Sequence, residues 1–248
     1  LKKVKVEKTW KSIFQDVPWV DKEFFKIENF DLYDLLKLNG HISDTGAYTV
    51  KMWNELISEI KKYASLNRTS KILEIGCGAG ALLWCLKEFN IYGIDRSEKL
   101  LGVAKKAMKN GKFYITDATT LPFEDSYFDV VLSHSCFHFF PDKKYMSDVI
   151  REIIRVLKND GKLILTDLLD KSKEQEFKNT RIAKLGKKEY DRLYGGEKNK
   201  NLKHLYVTKK YMNELLNESF DNIFFTKACR RGDENDDYKF NLFCRRNR

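Results

Sequence analysis

The stretch Lys71-Ile72-Leu73-Glu74-Ile75-Gly76-Cys77-Gly78-Ala79-Gly80 runs from a short apolar strand directly into a glycine-rich turn, and it decides the fold. Glycine serves where a turn needs unusual dihedrals or where backbone must approach a ligand with no Cβ in the way. Amides at the start of the following helix then face the bound molecule. Gly76 and Gly78 followed by Ala81 also satisfy the looser dinucleotide pattern, so the glycines alone leave NAD open. Glu74 shifts the balance. An acidic side chain just before the turn suits a ligand carrying an ammonium and a sulfonium better than one carrying a pyrophosphate.

Outward from this turn the chain alternates strand and helix. After KILEI come the helical segment ALLWCLKEF, the strand IYGID, the helix SEKLLGVAKKAMKN and the strand KFYITD. YFDVVLSHS then reads as a fourth strand, KKYMSDVIREIIRVLK as a helix, and the Asn159-Asp160-Gly161 turn leads into a fifth strand, KLILTD. Such alternation predicts a parallel sheet covered on both faces. Further on, KKYMNELLNES reads as a helix, and NIFFTKACR and YKFNLFCRR as a terminal hairpin around the acidic loop GDENDD. Asp95 ends the second strand, where a carboxylate can accept both ribose hydroxyl protons. Asp117 follows the third strand, where an adenine amino group would be held.

Taken together, EIGCGAG, GIDRS, TDATTLPFEDSYFDVVLSHSCFHFF and REIIRVLKNDGKLILTD resemble the class I S-adenosylmethionine-dependent methyltransferase family, over about residues 71–168. The resemblance implies an α/β, Rossmann-like seven-stranded sheet with its last strand antiparallel, flanked by helices. It further implies that Glu74 and the Gly76, Cys77, Gly78, Gly80 turn hold the methionine portion of S-adenosylmethionine. Asp95, with Arg96 beside it, would take the ribose, and Asp117 with Ala118 the adenine. Leu121 would pack on the adenine ring, and Ser133 would offer backbone contacts beside the methyl group. NGHISDTGAYTVKMW, with KHLY and YKFNLF, is similar to a subgroup of bacterial small-molecule methyltransferases.

Two segments frame this core. Residues 1–66 are rich in aromatics and end in an amphipathic helix, Tyr48 to Tyr63, with a start at Thr45–Gly46; they form an expected N-terminal helical lid. The methyltransferase domain is expected over 67–248. Within it 169–206, strongly charged and without apolar periodicity, is read as an insertion after strand 5 that serves as a substrate lid. His41, Tyr48 and Trp53 from the first segment, and His204 and Tyr206 from the second, are the substrate-binding candidates. His138 is the favoured base for a hydroxyl acceptor and His134 the second choice, since histidine suits proton abstraction near neutral pH.

Bulk properties narrow the reading further. With 248 residues the chain suits one well-buried domain. No apolar run is long enough to span a membrane, and LKKVKVEKTWKSIF lacks the apolar core of a signal peptide. The five cysteines form no CxxC pair, which predicts reduced thiols and a cytoplasmic setting. Asp117, Asp129 and Asp167 read as a cofactor contact, a structural carboxylate and a strand end, so no metal is expected. A net charge of +10 is spread without a basic block and SHSC follows the fourth strand. These features favour a small, anionic, sugar-derived or phosphorylated acceptor methylated at oxygen over nucleic acid. A catalytically silent methyltransferase-fold subunit is the alternative from another class.

Overall fold

The computed structural model describes residues 9–19, 22–43, 46–194, 202–228 and 238–248. The seven strands of the sheet are β1 (Lys71–Ile75), β2 (Asn90–Asp95), β3 (Lys112–Ile115), β4 (Phe128–His134), β5 (Leu157–Leu169), β6 (Phe220–Lys227) and β7 (Lys239–Arg246). They lie in the order β3-β2-β1-β4-β5-β7-β6. β1 to β5 are parallel, and β7 runs antiparallel to both β5 and β6. The last strand is antiparallel, as the resemblance implied.

Residue alternation explains why both faces are covered. On β1, Ile72 packs into one apolar cluster while Leu73 and Ile75 pack into another, as the two-residue period of a strand requires. The first cluster takes its helical side from α2 (Leu32–Leu38), α3 (Val50–Ala64), α4 (Ala81–Trp84) and α5 (Glu98–Ala107); the second from α6 (Lys143–Val156) and α9 (Lys209–Leu216). On α6 the residues Met146, Val149, Ile150, Ile153 and Val156 are buried at helical spacing.

Several expected boundaries move. α3 begins after Thr49, whose hydroxyl accepts the Met52 amide, while Thr45 lies outside the described residues. ALLWCLKEF is helical only to Trp84, because the amides of Cys85 and Leu86 turn to carbonyls three residues back, a tightening that ends the α-helix. Asn159-Asp160-Gly161 is an irregularity inside the long β5, with Asp160 at φ 61. A second irregularity, between Leu165 and Leu168, carries Asp167 at φ 68. The charged stretch after β5 contains two helices, α7 (Glu174–Leu185) and α8 (Lys187–Tyr194), and residues 203–206 are irregular. The GDENDD loop and Cys229 fall outside the described residues.

β1 and β4 are the strands at which the order reverses, so the ends of β1, β2 and β4 meet in a crevice, the ligand position of open α/β sheets. α1 (Trp10–Asp16) reaches this end and ties to the far segment through the Trp10 indole, which donates to the Lys203 carbonyl at 3.2 Å. That far segment is anchored in turn. The Leu205 amide donates to the His138 carbonyl at 2.8 Å, and Val207 bonds Leu169 and Lys171 at the end of β5.

Candidate active site

The site starts from the glycine turn. The amides of Gly76 and Cys77 both donate to the Ile94 carbonyl of β2, at 2.9 and 3.0 Å. Gly76 adopts φ 72 and Gly78 φ 54. A Cβ on Gly76 would run into the Cys136 side chain, and one on Gly78 would meet Asn39 Oδ1 at 2.5 Å. The turn is therefore closely covered from two sides, which is where its glycines are needed.

Two acidic groups flank it. Asp95 accepts the amides of Gly78 (2.9 Å) and Ser97 (2.8 Å). Burial pushes its carboxyl above the usual range, against the pull of those amides and Arg96. Glu74 is 2% exposed, and its Oε2 is buried with no hydrogen-bond partner among the described residues. Burial, and then the Asp95 charge, raise its carboxyl well above the ordinary value. The buried Glu74 carboxylate with its orphaned oxygen, and the half-buried Asp95 on the cavity wall, form a donor set that a ligand cation would satisfy, and an ammonium fits it.

Asn39, just past the end of α2, clamps the same turn. Its Oδ1 accepts the Ala79 amide at 2.6 Å, and its Nδ2 donates to the Cys77 carbonyl at 3.1 Å. Asn39 falls within the expected N-terminal lid, but nothing local to an asparagine reveals a partner 40 residues away.

A cavity of about 800 Å³ opens from this turn. Of the expected cofactor residues, Gly76, Gly78, Asp95, Arg96 and Ala118 line it, and Cys136 joins them. Glu74, Cys77, Gly80, Leu121 and Ser133 lie behind the lining. Ser133 donates its hydroxyl to the Ile75 carbonyl at 2.8 Å, bracing the end of β1. Leu121 is buried in the second cluster, and its amide donates to Glu152. Asp117 is turned toward protein donors: Arg96 pairs with Oδ2, while Thr119 and the Tyr145 hydroxyl (2.6 Å) bond Oδ1.

His41, His134, His138 and His204 all line the cavity. His134 Nδ1 lies 2.9 Å from Thr166 Oγ1, whose own proton goes to the Ser133 carbonyl. His138 packs its ring 4.1 Å from Phe139 and 5.5 Å from His204. Burial, reinforced by the charges of Arg181 and Lys239, holds His204 down at about 3, so it is neutral at physiological pH. Tyr48 and Trp53 do not line the cavity; both pack against His41 and His134 from behind. Tyr206 also stays off it, 6.1 Å from Phe177 in a small satellite cluster.

Wall residues that sequence reasoning did not single out for the site include Phe139, Arg181 and Lys239. Lys239 Nζ lies 2.6 Å from Asp167 Oδ2, a pair that is nearly fully buried. Asp129 is structural, taking the Lys71 amide and Lys158 at 2.8 and 2.7 Å. Among the described residues no group of three or more His, Cys, Asp or Glu is arranged to hold a metal ion. No helix among them is long and apolar enough to cross a membrane.

The sheet order and the glycine turn between two carboxylates define a Rossmann-like methyltransferase fold. Comparison with known proteins agrees: residues 73–165 match the methyltransferase domain model. A demethylmenaquinone methyltransferase from Thermotoga maritima is 38% identical over 103 residues, covering 40% of this chain and 44% of that protein. An uncharacterised Methanocaldococcus jannaschii protein is 30% identical over 164 residues, covering 65% and 67%. The crystal structure of the N-methyltransferase NodS from Bradyrhizobium japonicum with S-adenosyl-L-homocysteine superposes with a TM-score of 0.58. It is 18% identical, with 79% of this chain and 87% of that one covered. The chain belongs to the class I S-adenosylmethionine-dependent methyltransferase family. It spans about two-fifths of the length of several curated relatives that it matches.

Proposed function

We propose that this chain methylates an oxygen atom of a small anionic molecule, using S-adenosylmethionine. The observation that carries this reading is the single cavity that joins the glycine turn and its two carboxylates to a histidine- and aromatic-lined chamber. A volume of about 800 Å³ is in the range of small-molecule sites.

The cofactor supplies a methyl group on a sulfonium, a good leaving group. The chain's own task is alignment and water exclusion. Glu74 and the turn would take the methionine portion, Asp95 the ribose hydroxyls, and Ala118 the adenine edge. For Asp117 to receive the adenine amino group, its Oδ2 must exchange Arg96 for that group. His138 would take the proton of a hydroxyl acceptor, with the Leu205 amide on its carbonyl fixing its backbone. The helical segments at 1–66 and 169–206 would act as the lids of the chamber.

The test is calorimetric titration of the purified chain with S-adenosylhomocysteine, beside NAD and an Asp95→Ala variant. Micromolar-range binding that Asp95→Ala weakens by at least about tenfold is expected, with no heat from NAD. If neither ligand binds, the enzyme reading falls and a silent subunit is the better account.

A further inference from the structure

Resting on that reading, we infer that the acceptor is a planar aromatic acid, and that Arg181 is the residue that reads its carboxylate. The chamber beyond the glycine turn is walled by rings in edge contact. Trp10 and Phe14 each lie 4.8 Å from Phe139, Trp10 lies 4.9 Å from His204, and Phe177 and Tyr194 close the far side, 6.2 and 6.1 Å from His204. Among the described residues lining the cavity, Asp95 and Asn39 are the only carboxylate and the only carboxamide, and both are engaged at the glycine turn. Apart from these two, the side-chain acceptors on the lining are hydroxyls and imidazoles, and Tyr194 already takes Arg181, so a polyhydroxylated acceptor finds few strong acceptor oxygens here. Flat apolar rings instead match the aromatic wall in shape and chemistry.

The charges on the lining select one anionic group. Arg96 is paired with Asp117, and Lys239 with Asp167. Lys37 lies over the Phe24 ring at 5.0 Å, two residues before the clamp at Asn39. Arg181 differs from Arg96 and Lys239 in facing no carboxylate among the described residues, and from Lys37 in belonging to the aromatic wall itself, beside Phe177 and Tyr194. It donates to the Tyr194 hydroxyl and stacks 4.6 Å from Phe177, and no carboxylate among the described residues lies within ion-pair distance of it. A guanidinium held beside two rings, 4.6 Å from Phe177 and 5.3 Å from Tyr194, with donors to spare, suits bidentate capture of a carboxylate. His204, kept neutral beside it, adds no second positive charge.

The experiment uses the whole chain saturated with S-adenosylhomocysteine, titrated with 4-hydroxybenzoate, methyl 4-hydroxybenzoate and glucose 6-phosphate. Tryptophan fluorescence is the readout, and a Trp10→Phe variant identifies the responding ring. The acid is expected to bind and quench Trp10, more tightly than its ester, and glucose 6-phosphate to be ignored. Arg181→Gln should weaken the acid by at least about tenfold and leave the ester unchanged; Arg181→Lys should restore only part of the loss. Melting temperature and S-adenosylhomocysteine affinity check that the variants remain folded. The inference is overturned if the acid fails to bind, if glucose 6-phosphate binds in its place, or if Arg181→Gln affects acid and ester equally. Failure of S-adenosylhomocysteine to bind would instead sink the methyltransferase reading, whatever the acid does.

Discussion

Replacing Asn39 by alanine should loosen the cofactor turn without touching any residue of the glycine motif. The side chain makes two bonds to the turn, 2.6 Å to the Ala79 amide and 3.1 Å to the Cys77 carbonyl. Ala79 and Cys77 are both fully buried, so neither orphaned group gains water in exchange. Two lost bonds at about 1 kcal/mol each, with part of the desolvation penalty added, give roughly 2–4 kcal/mol. For a chain of this size each kcal/mol lowers the melting temperature by about 2–4 °C, so a drop of roughly 5–15 °C is expected. Thermal unfolding followed by circular dichroism measures it. Affinity for S-adenosylhomocysteine should fall in parallel, because ligand binding must then order the turn that Asn39 had held. Asn39→Asp is a sharper probe: it can still accept the Ala79 amide, but at neutral pH it sets a carboxylate against the Cys77 carbonyl. A variant Asn39→Ala that melts within about 1 °C of the parent and binds the ligand equally well would refute the clamp.

Three further outcomes follow from buried charge. Lys239→Met removes the cation 2.6 Å from the Asp167 carboxylate, which is 1% exposed; a cost of about 3–5 kcal/mol in chemical denaturation is expected, largely recovered in Lys239→Met with Asp167→Asn. His204 is held at about 3 in the folded chain against roughly 6.5 when unfolded, so the unfolded chain binds the extra proton between these values. Its contribution is complete above pH ~6.5 and is lost as pH falls toward 3, by several kcal/mol at most; His204→Asn should flatten that part of the stability–pH curve relative to the parent. Asp95→Ala removes the acceptor of the Gly78 and Ser97 amides as well as the proposed ribose contact; it should therefore lower the melting temperature by a few degrees while abolishing most ligand heat.

The strand, the glycine turn and the carboxylates beside it were legible because their information is local. A strand, three glycines and an acidic residue fit within ten consecutive positions, and the strand-end carboxylates Asp95 and Asp117 recur at the spacing of a βαβ unit. The antiparallel last strand was legible for a similar reason, since β6 and β7 are consecutive apolar runs. Helices α7 and α8 were not. Only Phe177 of α7 is buried, so the segment carries no apolar stripe, and its helicity rests on i,i+3 and i,i+4 ion pairs such as Lys173–Glu176 and Lys187–Asp191. A charged sequence with that pattern reads equally well as a solvated loop. Glu74 was legible as acidic and near the strand end, but its separation from the cavity lining depends on how the turn folds over it.

The acceptor chamber was illegible for the opposite reason. Its wall draws Trp10 from α1, Phe139 from the turn after β4, Phe177 and Arg181 from α7, His204 from the segment before α9 and Lys239 from the start of β7. No two of these elements are adjacent in the chain, and their register is set only when β5 and β7 pair and the Leu205 amide meets the His138 carbonyl. In the sequence Arg181 is one cation among many in a net charge of +10. In the fold it differs from Lys239 and Arg96 through what lies beside it, since those two face carboxylates and Arg181 faces rings. Net charge was therefore the wrong quantity for judging the acceptor. The deciding quantity is the charge left unpaired inside the cavity. Asp117 neutralises Arg96 and Asp167 neutralises Lys239, and of the two lining cations that face rings, Lys37 lies beside Phe24 while Arg181 belongs to the aromatic wall proposed to take the acceptor.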